Sequence, residues 1–444
     1  MTIALTDPTN GYYTSKTIST KDEDDLFNDE IDDANMKEIS LNGDTSAIIG
    51  KHGDFTTAPE ISQLFGECML LFYIFQYRNL LNSPKAVQIV EIGPGKGTLM
   101  ADVLSTACSS FPDFANALAD GGGVHLVEVS PDMRKKQRDL LNNLNGTLEG
   151  YQLVFMDGQD KEQNTKNLQK EKKIIRIHWH DALSFVPATD ATGSNIPHFI
   201  LCQEFVDALP IHSFQKHSDG SWRERMVDVD INPDADNIND PISSEDIDVM
   251  LQALPNQQKK PRLRFVLSKD TTPALDALLK ISHEQKQNAA VGDVIEVCPM
   301  GLMLAQDISE RLSQCKGASL LIDYGTEFGN GDTLRGFLNH KQVHPLSLSG
   351  RVDVTADVTF GALRQEAEKV NGVKCFGPTT QGEFLNKMGA VERVMALIDD
   401  DETTDEQAEE LYVGLERLVS YEEMGERYKI LSIVSGSNMD APGF

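Results

Sequence analysis

The segment Glu91-Ile92-Gly93-Pro94-Gly95-Lys96-Gly97 combines a carboxylate with three glycines at alternate positions. Such a turn lets the backbone approach a ligand closely, because a Cβ at these positions would intrude. In the dinucleotide fingerprint two residues separate the second and third glycines, and that motif binds pyrophosphate. Here the third glycine comes one residue earlier and an acid precedes the turn, which suits a cationic amino acid end. We therefore expect Glu91 and the three glycines to bind S-adenosylmethionine, the alternative being a purely structural turn.

Two further acids follow predicted strands. Glu128 lies at the end of the strand predicted at 124–129, and Asp181 follows the strand predicted at 174–179. Ligands of open parallel sheets bind beyond the carboxyl ends of the strands. A carboxylate at Glu128 can accept both hydroxyls of a ribose, and Asp181 is placed to accept from an adenine amino group. The simpler interpretations are an exposed strand-end acid for Glu128 and a helix N-cap for Asp181.

A carboxylate pair, Glu204 and Asp207, follows the strand predicted at 198–202. One helical turn would bring both to the same side. Together they can bind a guanidinium in a bidentate manner and hold one nitrogen in line with a methyl donor, which makes them the candidate catalytic residues. In the alternative, one acid caps a helix and the other faces solvent.

Two other segments are weaker candidates. Residues 53–61 are polar and turn-like, and we expect them either to cover the cofactor or only to cap the following helix. His178 and His180 alternate on a strand without a third ligand at a suitable spacing, so they are interpreted as packing or pocket residues and no metal site is expected.

The elements that must position these residues alternate between strand-like and helical patterns. This alternation is typical of βαβ units and a parallel sheet. The expected fold is α/β, a Rossmann-like, mostly parallel sheet with helices on both faces. The predicted strands are 87–92, 124–129, 174–179, 198–202 and 318–323, and the predicted helices are 61–80, 98–108, 131–144, 360–370, 381–388 and 405–419, with a loop-rich stretch between 325 and 359.

Four regions are predicted along the chain. An N-terminal segment with an acidic disordered insertion covers 1–52, and a cofactor-binding core covers 53–210. An α+β lobe inserted at 211–317 contains strand patterns at 222–231 and 262–268 and helical patterns at 273–287 and 300–315. Insertions of this size beside a sheet usually build a substrate lobe. Residues 318–444 complete the core and add C-terminal helices.

The charge of the chain is concentrated in three segments. Residues 22–38, 228–248 and 399–410 carry nine, eight and eight acids against one lysine, which accounts for most of the net charge of -29. We interpret them as solvated loops. Nucleic acid is not expected as a partner, since no basic patch neutralises phosphates. The longest apolar run, residues 68–75, is too short to span a bilayer. Six cysteines without CxxC spacing indicate reduced thiols and a reducing compartment.

The chain resembles the MidA-like methyltransferase family, whose mitochondrial members are arginine methyltransferases needed for respiratory complex I assembly. Several motifs carry the resemblance in the family's order, and together they extend over most of the chain. They are residues 7–13, 53–60, 91–97, 127–131, 203–210, 321–325, 333–337, 353–358 and 381–385.

The resemblance implies a class I methyltransferase fold with S-adenosyl-L-methionine as donor. It implies symmetric dimethylation of an arginine on a complex I core subunit, and a mitochondrial matrix location. Residues 1–50 contain no arginine and show no targeting signature. A presequence is therefore expected upstream, and a cytoplasmic location is the alternative. The sequence leaves the oligomeric state open, with a homodimer as one option.

Two other functions are alternatives to the arginine methyltransferase. A non-catalytic complex I assembly module could use the same fold and bind its client through the 211–317 lobe. The retained acids and glycines of the predicted site argue against that interpretation. A nicotinamide-dependent oxidoreductase is disfavoured by the spacing of Gly93, Gly95 and Gly97.

Overall fold

The described part of the chain contains one large sheet and two smaller ones. A computed structural model describes residues 1, 4–5, 11–12, 57–156, 171–230, 262–278, 289–329, 331–338, 341–347, 349–435 and 440–444. The strands are β1 Gln88–Ile92, β2 Gly123–Val127, β3 Tyr151–Phe155, β4 Lys173–His180, β5 His198–Gln203, β6 His212–Lys216, β7 Trp222–Asp230, β8 Arg262–Leu267, β9 Val294–Val297, β10 Gly317–Thr326, β11 Arg335–Leu338, β12 Lys341–Val343, β13 Asp353–Thr355, β14 Val358–Thr359, β15 Val373–Thr380 and β16 Tyr428–Ser435.

Helices flank these strands. They are α1 Ala58–Ile61, α2 Gln63–Phe75, α3 Thr98–Ser110, α4 Pro112–Asp120, α5 Pro131–Asn143, α6 Pro273–Leu278, α7 Pro299–Cys315, α8 Phe360–Ala367, α9 Gln381–Lys387, α10 Ala390–Ile398, α11 Asp405–Val419 and α12 Met424–Arg427. None of the helices in the described ranges is long and apolar enough to cross a bilayer.

The large sheet has the strand order β3-β4-β2-β1-β5-β10-β16-β15, and the short β14 pairs with the end of β10. In this order, every neighbouring pair from β3 through β4, β2, β1 and β5 to β10 is parallel. β16 runs antiparallel to both of its neighbours, β10 and β15. The expected mostly parallel α/β sheet is therefore confirmed, with one reversed strand between β10 and β15.

The central strands read as continuous apolar runs because both faces of the sheet are covered. On one face, α2, α3 and α4 pack with Ile89, Phe199 and Leu320. On the other, α7 and α8 pack with Ile200 and Leu321. Since alternate residues of a strand point to opposite faces, successive residues of β5 and of β10 enter different cores.

The inserted region forms an antiparallel sheet in the order β8-β7-β6-β9. Phe214 of β6 and Ile295 of β9 belong to the same apolar core as β5 and β10, so this sheet packs on the main domain. Helix α7, which lies in the predicted lobe 211–317, also packs with the large sheet. The domain boundaries of the four predicted regions stay predictions.

Several expected elements differ in the structure. The stretch 325–359, expected to be loop-rich, contains a three-stranded sheet, β12-β11-β13. These strands have only three or four residues, which is too short for a periodic pattern. The helix predicted at 61–80 divides at Ser62, whose side chain accepts a hydrogen bond from the Leu64 backbone N–H and caps α2. The final turn of that helix, Gln76–Leu80, is π-helical.

The acidic segment 399–410 is a loop only in its first half. Thr404 and Gln407 form a capping box, and α11 begins at Asp405. Asp405 and Glu406 lie in the first turn, where the helix dipole favours negative charge. The segment 22–38 and most of 228–248 lie outside the described residues.

Replacement of Glu91 by glutamine tests how the burial of this carboxyl group makes the stability of the protein depend on pH. Glu91 in β1 is 2% exposed. Burial, and to a smaller extent the charge of Asp102, raises the pKa of Glu91 from 4.5 to about 8. Between these values the folded protein keeps a proton that the unfolded chain releases, so this carboxyl makes stability fall as pH rises.

We expect Glu91→Gln to lose less stability than the wild type between about pH 5 and about pH 8, because the amide does not titrate. Thermal unfolding across this range measures the difference. Glu149→Gln, which changes an exposed glutamate in the same way, is the control. Equal pH dependence of the wild type and Glu91→Gln would contradict the prediction.

Candidate functional site

The turn between β1 and α3 holds its three alternate glycines in a backbone conformation that favours glycine. Gly93, Gly95 and Gly97 have φ angles of 67°, 52° and 90°, in the left-handed region that side chains disfavour. A Cβ on Gly93 would lie 2.5 Å from Cδ2 of Phe205, which follows β5. The turn therefore brings the segment after β1 against the segment after β5 with no room for a side chain.

Glu128, directly after β2, is connected to this turn through Gln137 of α5. The Gln137 amide donates to the Gly95 carbonyl oxygen at 2.7 Å and to Oε2 of Glu128 at 3.2 Å. The Ser130 backbone N–H donates to Oε1 of Glu128 at 2.8 Å. Burial raises the pKa of the Glu128 carboxyl, and the hydrogen bonds from Ser130 and Gln137 oppose that effect. Trp179 Nε1 donates to Oε1 of Gln137 at 2.8 Å, which fixes the amide orientation.

Asp181, at the end of β4, is joined to the same region by Arg134 of α5. The two side chains form an ion pair at 2.5 Å, and Arg134 Nε also donates to the Glu128 carbonyl oxygen at 2.7 Å. The Asp181 side chain is 70% exposed. The N-cap of the short helix Leu183–Phe185 is Ala182, and no side chain of the described residues caps this helix, so the N-cap interpretation of Asp181 is wrong.

Glu91 lies in the interior at the interface between β1 and α3. The charge of Asp102 in α3 contributes to the raised pKa of Glu91. Burial also raises the pKa of Asp102 itself, to about 7. Among the described residues, Oε2 of Glu91 has no hydrogen-bond partner. A carboxyl with a pKa near 8 is largely neutral at pH 7, so the expected binding of a cationic group by Glu91 stays a prediction that this burial does not favour.

Glu204 follows β5 in a left-handed backbone conformation, with φ 47°. The Gln203 amide donates to its Oε1 at 2.5 Å, and the Tyr428 hydroxyl donates to its Oε2 at 3.3 Å. Burial first, and then the charge of Asp207, raises the pKa of Glu204 to about 8, while a hydrogen bond from the Ala58 backbone N–H lowers it. Glu204 and Asp207 therefore lie close enough to interact electrostatically.

Asp207 is 8% exposed and is held by hydroxyl groups. Its Oδ2 accepts hydrogen bonds from the Tyr324 hydroxyl and, at 2.9 Å, from the Thr355 hydroxyl. Within the described ranges its Oδ1 has no partner. Burial raises the pKa of Asp207, against the hydrogen bonds from Tyr324 and Thr355 and the charge of Arg335.

The expectation that one helical turn joins Glu204 to Asp207 is wrong. Residues 204–209 form bends and a turn. The backbone N–H groups of Val206 and Asp207 donate to Oδ2 of Asp323 at 3.1 and 3.2 Å, so they are not available to helical carbonyls. Asp323, in β10, is thus a third buried carboxylate beside the predicted pair, and burial raises its pKa well above the usual range.

The described part of the segment 53–61 lies over both halves of the site. Glu60 of α1 accepts a hydrogen bond from the Thr98 hydroxyl at 2.5 Å, and its Oε2 is 3.9 Å from Lys96 Nζ. The Ala58 N–H reaches Glu204, as noted above. Residues 53–56 lie outside the described residues, and the cofactor-covering role stays a prediction.

Sequence reasoning missed several groups in this site. Asp323 and Tyr324 end a predicted strand, so their position was a usable signal for both. Tyr428, Thr355, Arg134 and Gln137 carried no such signal. His178 stacks on His125 with ring centroids 4.8 Å apart, and the ring of His180 lies tilted against His125 with centroids 5.1 Å apart. No group of metal-binding side chains was found in the part of the chain that the structure describes.

Comparison with known proteins points to one family. The sequence model of a family described as "Putative S-adenosyl-L-methionine-dependent methyltransferase" matches residues 69–379. The mitochondrial protein arginine methyltransferase NDUFAF7 of Homo sapiens is 33% identical over 390 residues, which cover 87% of this chain and 75% of that protein. The protein of the same name from Xenopus tropicalis is 32% identical over 393 residues, covering 88% of this chain and 78% of that protein.

Solved structures share the fold. A COG1565 superfamily member from Burkholderia thailandensis, bound to S-adenosyl-homocysteine, is 20% identical with a TM-score of 0.62, covering 90% of this chain and 84% of that one. A native crystal structure of a COG1565 superfamily protein from the same organism has a TM-score of 0.63 at 19% identity, covering 100% of this chain and 88% of that one. These similarities establish the class I methyltransferase fold for this chain.

The glycine turn also fits the methyl donor of this fold. Gly93, Gly95 and Gly97 form a left-handed turn directly after β1. Glu128 stands at the end of the neighbouring strand, and its carboxylate oxygens are acceptors suited to ribose hydroxyls. The match covers more than half of the chain and agrees with the fold and with the curated relatives. The chain therefore belongs to this family, and it is an S-adenosyl-L-methionine-dependent methyltransferase.

Proposed function

We propose that the protein methylates an arginine side chain of another protein. The observation that carries this proposal is the pair of acids, Glu204 and Asp207, placed beside the glycine turn at the carboxyl end of β5. A guanidinium is planar and permanently charged, and carboxylates bind it with paired hydrogen bonds. Oδ1 of Asp207 has no hydrogen-bond partner among the residues that the structure describes, and a guanidinium N–H would satisfy it. Such a bond would remove the cost of leaving this oxygen buried and unpaired.

The cofactor supplies an activated methyl group on a positively charged sulfur. The chain's own residues then have to bind, orient and exclude water, since the donor needs no further activation. We assign the amino acid end of the donor to Gly93, Gly95 and Gly97, and Glu91 stays a predicted contact of its cationic group. We assign the ribose to Glu128 and the adenine to Asp181.

Glu204 and Asp207 would hold the guanidinium so that one terminal nitrogen faces the methyl group. The carbon–nitrogen bond forms as the sulfur–carbon bond breaks, and the methylated nitrogen releases one proton. The raised pKa of Glu204 makes its carboxylate a suitable acceptor for that proton. Contact of Ala58 with Glu204, and of Glu60 with Thr98, would let α1 cover the guanidinium and the cofactor together.

The relatives' name supports a finer assignment. They are named mitochondrial protein arginine methyltransferases. We infer a mitochondrial matrix location, a complex I core subunit as the substrate and symmetric dimethylarginine as the product, as the family resemblance implies. The competing function is a non-catalytic assembly module that binds the same client without methyl transfer. A homodimer stays an open option.

Gly95→Val tests the cofactor site. A β-branched residue at φ 52° strains the turn and places a side chain where the ligand's backbone contacts are expected, so we expect S-adenosylmethionine affinity to fall by about 100-fold or more. Isothermal titration measures it. Gly150→Val is the matched control, because Gly150 has φ 74° with nothing within 4 Å of its Cβ position. Unchanged binding by folded Gly95→Val would refute the assignment.

Glu204→Gln and Asp207→Asn test the guanidinium site. Each variant replaces a carboxyl group that can ionise and bind a cation with a neutral amide. Each should lower kcat/KM by about 100-fold, while the affinity for S-adenosylmethionine stays near that of the wild type. Transfer of radiolabelled methyl groups to complex I isolated from cells that lack this protein measures the rate. Glu410→Gln, at an exposed position of α11, is the control. Client binding without any label transfer by the wild type would favour the assembly module.

The pH dependence of the same reaction is a separate prediction. Glu204 has a pKa raised to about 8 and binds a cation only when it is ionised, which is the form above that pKa. We therefore expect kcat/KM to rise with pH through about 8, and we expect Glu204→Gln to remove that rise. A wild-type profile that is flat between about pH 6 and about pH 9 would contradict the role of Glu204.

A further inference from the structure

We propose that Tyr324 and Tyr428 are positioning residues that set the separation of Asp207 and Glu204, and so control how the guanidinium is presented for successive methyl transfers. The inference rests on the proposed function, because it concerns the same two carboxylates. The two tyrosines come from neighbouring strands of the large sheet, and each donates its hydroxyl to one member of the pair.

The register of the sheet fixes the distance between the tyrosines. Tyr324 in β10 and Tyr428 in β16 are direct partners across the antiparallel pair. Directly opposite residues project from the same face of a sheet, so both rings lie side by side. Their centroids are 5.6 Å apart and their planes meet at 88°, an edge-to-face contact that aromatic rings prefer.

Each hydroxyl binds one oxygen of its carboxylate and leaves the other oxygen for a second partner. Tyr428 donates to Oε2 of Glu204 at 3.3 Å, while Oε1 accepts from the Gln203 amide. Tyr324 and Thr355 both donate to Oδ2 of Asp207, and Oδ1 has no hydrogen-bond partner among the described residues. A pair of hydroxyls held by β-sheet register therefore orients two acids that lie on an irregular turn.

The ring of Tyr324 is itself held in place by cations. The Arg335 guanidinium carbon lies 4.8 Å from the Tyr324 ring centroid, and that of Arg427 lies 5.7 Å from it. Arg335 is 9% exposed, and its Nη1 is 2.6 Å from Oδ1 of Asp357. These contacts hold the ring in place. The positive charge of Arg335 also lowers the pKa of Asp207, against the effect of burial.

The separation of the carboxylates matters most for the second transfer. Each transfer forms one carbon–nitrogen bond, breaks one sulfur–carbon bond and releases one proton. After the first transfer, one guanidinium nitrogen carries a methyl group and has lost a hydrogen-bond donor. The substrate must then be held with its other terminal nitrogen towards the donor, so a displaced carboxylate should reduce the second methylation more than the first.

Tyr324→Phe and Tyr428→Phe test the inference, since both keep the ring contact and remove only the hydroxyl. We expect kcat/KM to fall by about 10-fold in each, with dimethylarginine falling relative to monomethylarginine. The acid limb of the pH profile should move to higher pH, because loss of a hydroxyl donor disfavours the ionised carboxylate. Complex I from cells lacking this protein is the acceptor, and amino acid analysis after hydrolysis gives the product ratio.

The controls separate this inference from the proposed function. Tyr151 lies in β3, at the far edge of the sheet, and its hydroxyl donates to Asn116 Oδ1 at 3.0 Å. Tyr151→Phe removes this hydroxyl and should leave the product ratio and the pH profile unchanged. Affinity for S-adenosylmethionine should match the wild type in all tyrosine variants, which also shows that they fold. If Tyr324→Phe does not fold, Thr355→Val removes the other hydroxyl bound to Asp207 and is expected to have the same effects.

Wild-type product ratio and pH profile in both folded tyrosine variants, with Glu204→Gln and Asp207→Asn inactive, would overturn the positioning role and leave the proposed function intact. Full activity in Glu204→Gln and Asp207→Asn would instead overturn the proposed function. A uniform loss of rate with an unchanged product ratio and pH profile would show a structural effect of the hydroxyls and also overturn the positioning role.

Discussion

Burial of Asp207 and Asp323 beside the half-buried Glu204 is the constraint on which the site depends. Carboxylates removed from water repel one another and must be hydrogen-bonded. Three adjoining strands supply what this cluster needs: Asp323 and Tyr324 from β10, Tyr428 from β16, and the turn after β5 with its backbone N–H groups. The loop after β5 forms bends and a turn. Its shape therefore depends on side-chain hydrogen bonds such as those that Asp323 accepts from the Val206 and Asp207 N–H groups.

The same principle organises the cofactor half of the site. Gln137 connects the Gly95 carbonyl to Glu128, and Arg134 connects Glu128 to Asp181. Both connecting residues come from one helix, α5, which begins directly after the segment that contains Glu128. The helix that follows β2 thereby aligns three successive strand ends, and the packing of Phe205 against Gly93 joins them to the carboxylate cluster.

The sequence predicted the parts of this arrangement that follow from local patterns. Buried parallel strands read as apolar runs, so β1, β2, β4, β5 and β10 are predicted from the sequence. The residues directly after such strands are easy to identify, which is how Glu128, Asp181 and Glu204 are found. The relation of Glu204 to Asp207 could not be predicted, because it depends on Asp323, more than a hundred positions away in the chain. β15 and β16 were missed for a similar reason, since only their pairing with other strands of the sheet identifies them as strands. Arg335, Thr355 and Tyr428 enter the site through those tertiary contacts alone.

The reversed strand has a consequence for how the chain is made. Ribosomal synthesis completes β10, which ends at Thr326, well before it reaches β16, which begins at Tyr428. During that interval the edge of β10 that later pairs with β16 presents unpaired backbone N–H and C=O groups, to which a strand of another chain can bind. The nascent chain is therefore prone to aggregation until β16 is synthesised. A chaperone that shields this edge of β10 would favour its correct pairing with β16.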